Sequence, residues 1–92
     1  DGIALDRRGT LFVNVNASDS FASVSPSGRL RILAQGGLLD APSSVVFGAT
    51  EGDRFEMYVT SSAFSRTLGL QPGEPHPALL VAPVRAPGLP LP

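Results

Sequence analysis

Ninety-two residues are enough for one small domain and near the lower end at which a chain buries a sizeable core. Seven Arg against eight acids, a net charge of −1, leave no basic stripe for nucleic acid, and the absence of Cys excludes disulfides and thiolate metal sites. A hydrophobic content of 42% suits a globular chain, yet no apolar run approaches the ~20 residues that span a bilayer, so neither nucleic acid nor membrane is an expected partner. The chain does not begin with Met, which fits a processed or truncated N-terminus, and cytoplasmic and periplasmic locations stay equally open.

In chain order, residues 2–5 form a brief apolar strand, and Asp6 to Gly9 a polar turn closed by glycine. Residues 11–15 alternate, with Leu11, Val13 and Val15 on one side and Phe12 and Asn14 on the other. A polar break at 16–19 precedes a third strand over 21–24. Ser25-Pro26-Ser27-Gly28 has strong turn chemistry, and a fourth strand follows over 29–33. Four short strands in succession make one antiparallel meander. Residues 35–40 read as a linker, with Gly36-Gly37 as its turn.

The next strand covers 43–47, then a turn over 48–53 and a strand over 55–60, with Met57 and Val59 sharing a face opposite Glu56 and Tyr58. Beyond Ser61 the pattern loosens into a Pro- and Gly-rich loop with a short extended piece near Leu68. Residues 78–84 are the last strand candidate, and Pro83 argues against a central position for it. "APGLPLP" is expected to be an extended tail lying on another element, and no helix is required anywhere.

The second unit echoes the first at a spacing of roughly 44 residues, and short strands repeating at such a period are the signature of propeller blades. The expected fold is therefore all-β: about two blades of a β-propeller, residues 1–40 forming one blade and 41–92 a second, partial one. Two blades leave outer faces uncovered, and a closed ring needs roughly 160 residues or more. Three arrangements follow: a piece of a longer polypeptide, copies that assemble (three giving six blades), or a small open sandwich of two sheets.

Two stretches, "DGIALDRRGTLFVNV" and "SSVVFGATEGDRFEMYVTSSA", resemble the last third of SMP-30/gluconolactonase/regucalcin family proteins. Phe47-Gly48 followed by Glu56-Met57-Tyr58-Val59-Thr60 matches that family's FG…EMYVT element, and "PALLVAPVRAPGLPLP" is similar to its bacterial members' ending. Phe12 and Asn14 depart from the family pattern, which favours Trp or Tyr and Ala there. The resemblance implies a six-bladed propeller that hydrolyses small sugar lactones with a divalent metal, calcium or zinc, in its channel. It implies Asp1 as metal ligand and as the base that activates water, with a Glu and an Asn ligand supplied by chain preceding residue 1. A divalent cation can both activate water and stabilise an oxyanion, whereas one carboxylate holds such a cation weakly. The competing reading is a non-catalytic structural or protein-interaction module, completed by blades of the same polypeptide or of other copies.

Other residues read as structural. Asn14 and Asn16 cap backbone groups or line a polar channel. Asp19 is expected in a local Asx turn, and "NAS" at 16–18 would be a glycosylation acceptor only in a secretory eukaryotic setting. Glu56 would need a partner such as Arg54. His76, the single histidine, lies in a loop between prolines. No G-x-S-x-G elbow and no phosphate-cradling glycine loop is present.

Overall fold

The computed structural model describes residues 2–89. They form seven strands in two antiparallel sheets, so the chain is all-β. The first sheet has the order β1 (Ile3–Leu5), β2 (Leu11–Val15), β3 (Ser20–Val24), β4 (Leu30–Gln35). The second has the order β5 (Pro42–Phe47), β6 (Glu56–Ser61), β7 (Ala78–Pro83). Each strand pairs with its sequence neighbours, as short turns between antiparallel strands dictate.

The turns explain the meander. Between β1 and β2, one Asp6 carboxylate oxygen accepts the N–H groups of Arg8 at 2.8 Å and Thr10 at 2.9 Å. Between β3 and β4, the Ser25 hydroxyl accepts the Arg29 N–H at 3.0 Å, and Gly28 donates to the Ser25 carbonyl at 2.8 Å. In the β5–β6 hairpin, Asp53 takes the Thr50 N–H and hydroxyl, and Tyr58 reaches its other oxygen at 3.0 Å. These donors hold the Asp53 carboxyl below its ordinary range, the Thr50 hydroxyl most of all and then the Thr50 N–H; in return Asp53 raises the Tyr58 phenol.

The core lies between the sheets, where β5 packs against β1 and β2. Phe21, Leu39, Val45, Met57 and Val59 are buried there, with Ala4, Phe12, Phe47, Leu80 and Val84 packed around them. Alternation sends Phe12 and Asn14 inward. Phe12 stacks on Phe21 at 6.0 Å and meets Phe47 edge-on at 5.7 Å.

The other face of the first sheet is apolar too. Register aligns Ile3, Val13, Ala22 and Ile32 in one row and Leu5, Leu11, Val24 and Leu30 in the next. Ile3 is 65% exposed, Leu30 60% and Ile32 51%. A bulge opposite Phe21 and Ala22 leaves Leu33 out of the ladder.

Several details differ from the sequence reading. The polar break at Asn16–Ser18 is a turn of 3-10 helix, and Phe64–Thr67 forms one α-helical turn, α1, where an extended loop was expected. The 35–40 linker is not a passive tether, since Leu39 and Asp40 are both buried. Pro83 ends an edge strand, opposite Glu56, where a missing N–H costs nothing. The described part of the tail, up to Leu89, lies on another element: Arg7 donates to the Pro87 carbonyl at 3.0 Å, Leu89 donates to the Leu5 carbonyl at 3.2 Å, and Asp6 bridges Gly88; residues 90–92 lie outside the described residues.

Candidate functional site

At one end of the two sheets, the start of β1, the end of β2, the start of β5 and the end of β6 come together. Gly2 makes this convergence possible. It has φ +74°, and a Cβ there would run into the Ser43 carbonyl and the Ser44 Cα. Only glycine gives β1 both that backbone conformation and that approach to β5. The Asn14 N–H donates to the Gly2 carbonyl at 3.1 Å, and the Asn14 side chain is fully buried beside it.

Polar groups gather around this end. The Asn16 amide donates to the Ala41 carbonyl at 3.2 Å and the Pro42 carbonyl at 3.3 Å, so Asn16 staples the two sheets. Ser62 donates its hydroxyl to the Ala41 carbonyl at 2.7 Å, and the Ser43 and Thr60 hydroxyls pair at 3.0 Å. Asn16, Ser43, Ser62 and Phe64 line a cavity of about 430 Å³. Its wall is mostly apolar, because the Asn16 amide and the Ser43 and Ser62 hydroxyls are already bonded within the protein.

Beside this cavity lies an ionic cluster that no sequence pattern announced. Asp40 is 4% exposed, and its carboxylate receives Arg66 Nη1 at 2.6 Å and the His76 backbone N–H at 2.9 Å. Arg66 also reaches Asp19 at 3.4 Å and donates through Nε to the Pro72 carbonyl at 3.1 Å. The His76 N–H foremost, and then Arg66, hold the Asp40 carboxyl below the usual carboxylate range against the opposing effect of burial. Asp40 in turn raises the Arg66 guanidinium. Ser61 closes the back of the cluster, accepting the Asp40 N–H at 2.6 Å.

Asp1, the residue expected to bind metal and activate water, lies outside the described residues. Asp19 does not make the local Asx turn expected of it. It is a left-handed cap, φ 51°, whose carboxylate accepts the Ala41 N–H at 2.8 Å across the sheets. Arg54 pairs with Glu51 at 3.6 Å and lies over the Phe55 ring, rather than serving Glu56, because the turn places Glu51 within its reach. His76 sits in the loop as expected, and its backbone rather than its ring ties it to Asp40.

These residues do not by themselves fit a divalent cation. Asp19 and Asp40 spend both carboxylate oxygens on N–H donors and Arg66, Asp6 spends one, and among the described residues no three His, Asp or Glu side chains converge to hold a metal. Asp40 and Arg66 went unforeseen because they are 26 residues apart and flank unremarkable turns; only the fold makes them neighbours. Compared with protein-family models and with curated proteins, the chain matches none.

Proposed function

We propose that the chain forms two neighbouring blades of a β-propeller hydrolase of the gluconolactonase kind, acting on small sugar lactones. The observation that carries this reading is the seating of Gly2 against Ser43 and Ser44. It brings β1 and β5, the first strand of each sheet, side by side with their polar ends together. First strands so arranged are what blades present to a central channel. The alternating FG…EMYVT stretch supports the same reading, since β6 buries Met57 and Val59 between the sheets.

In this reading Asp1, which lies outside the described residues, would be metal ligand and water-activating base. A bound cation, calcium or zinc, would supply Lewis acidity toward the lactone carbonyl, and it would need ligands beyond the described residues. The Asn16 and Ser62 donors are already bonded to backbone carbonyls, so with Ser43 they would meet a substrate chiefly through acceptor oxygens.

The test is lactone hydrolysis by the gene product that carries these residues, assayed with and without a chelator. Hydrolysis that is lost on chelation and on Asp1→Asn supports the reading. An inactive, metal-replete protein sinks it and leaves the second reading, a non-catalytic module that packs against other sheets. The apolar outer face of the first sheet favours that second reading.

A further inference from the structure

We propose that Asp40 and Arg66 form a latch that holds the 64–77 segment as a strap beside the polar end, with Phe64 as the strap's contribution to the cavity wall. This goes beyond the lactonase reading, because it concerns access to the cavity whatever chemistry occurs there.

One carboxylate fastens both ends of the strap. Arg66, near its beginning, donates to one Asp40 oxygen, and the His76 N–H, near its end, donates to the other. The anchor itself is fixed. Asp40 is buried, its N–H is held by Ser61 and its carbonyl accepts the Ala63 N–H at 2.7 Å. The strap, by contrast, is thinly attached elsewhere. Phe64, Leu68 and Leu70 are exposed, and no residue of the segment belongs to the buried core cluster. Beyond Asp40, its side-chain ties to other parts of the molecule among the described residues are Arg66 to Asp19 at 3.4 Å and Gln71 to the Ala17 carbonyl at 3.4 Å.

The strap also has the backbone of a hinged piece. Ala63, just before α1, has φ 55°, and Gly69 and Gly73 have positive φ within the segment. Arg66 draws the strap together internally as well, through its Nε bond to the Pro72 carbonyl. Releasing one guanidinium therefore loosens the strap at three points, toward Asp40, Asp19 and Pro72. Because Phe64 shares the cavity with Asn16, Ser43 and Ser62, a released strap opens that cavity on one side. Regions with few buried apolar contacts open at low free energy, so a small number of polar ties decides their state.

Amide hydrogen exchange on the full chain tests the latch, with chymotryptic cleavage at Phe64, Leu68 and Leu70 as a second readout. Arg66→Met and Asp40→Asn are each expected to speed exchange over 64–77 by roughly tenfold, as loss of a charge-assisted bond in a thinly held segment requires. Amides of β3 and β6 lose much less protection than those of 64–77. Phe64→Ala, which removes the wall and not the latch, leaves strap exchange as it was. Unchanged exchange in Arg66→Met overturns the proposal. Equal loss of protection in β3 and β6, or failure to fold, also overturns it, since the cluster would then be a staple of the whole molecule. A strap freed by Phe64→Ala overturns it too, because apolar packing would then be the fastening. Lactonase activity enters none of these outcomes, so the latch and the proposed function stand or fall separately.

Discussion

Gly2 shows how one residue sets the position of a strand. Its φ of +74° is strained for any L side chain, and the space a Cβ would fill is occupied by the backbone of Ser43 and Ser44, which cannot swing aside as a flexible side chain could. Gly2→Ala is therefore expected to destabilise the chain by about 1–3 kcal/mol or more, adding left-handed strain to overpacking. A fall in the urea midpoint with an unchanged m-value would show it; a midpoint within error of wild type would refute the close approach. The sequence draws attention to Asp1-Gly2 as a pair, but composition could not reveal that the glycine is required by a strand 41 residues further on. Met57 was more legible. Its alternation with Tyr58 put it on the inner face, and it is 1% exposed.

The strands were largely readable because each carries a local period and is bounded by Gly, Pro, Ser or Asp. Leu11–Val15 matches its expected bounds, and the others differ by a residue or two at the ends. What escaped reading was held by distant partners. The helical turn Phe64–Thr67 is too short to show a period, and it is steadied by Arg66 bonding to Asp40 and Asp19. The buried stretch at Leu39–Asp40 looks like a linker because Leu39 packs on other strands and the Asp40 carboxylate finds Arg66 and the His76 N–H only beyond β6.

That stretch also governs the response to acid. The Asp40 carboxyl is depressed in the folded chain, with Arg66, Asp19 and His76 as the titratable or charged groups around it. A depressed carboxylate adds stability that is present above its unfolded pKa, about pH 4, and is lost as pH falls through the lower folded value. Asp53 behaves alike in the β5–β6 hairpin. Urea midpoints followed from neutral pH downward should therefore fall in acid for the wild-type chain. Asp40→Asn should start lower at neutral pH and fall less steeply, with Asp53 supplying the remaining slope. Parallel curves would mean that Asp40 contributes nothing through its charge.

Across the whole molecule, the two sheets cover one another on one side only. Ile3, Leu5, Leu30 and Ile32 at the ends of the two outer rows are exposed apolar side chains, and β4 is exposed along its full length. Surfaces of this kind seek cover, and a free strand at their margin offers unpaired backbone groups. The 92-residue chain prepared alone is expected to associate as its concentration rises, and Ile32→Lys to weaken that association while leaving the urea midpoint nearly unchanged. Sedimentation velocity over a concentration series decides it, and a monomer throughout would contradict the expectation. This uncovered face was legible beforehand, since two small sheets can cover only one face of each other. The pairing of Asn16 with Ala41 and Pro42 was not, because a side-chain staple leaves no trace in a hydropathy pattern.

The tail knitted onto β1 bears on how such a chain is made. During translation residues 3–5 leave the ribosome ahead of the other six strands, yet their outer edge is satisfied only when Pro87 and Leu89 arrive. Among these seven strands, the first to be made is thus the last to be finished. The entropy of so wide a closure grows only logarithmically with the residues enclosed. The delay is consequently one of synthesis time more than of energy, and for that interval the nascent β1 edge is a natural client for a chaperone.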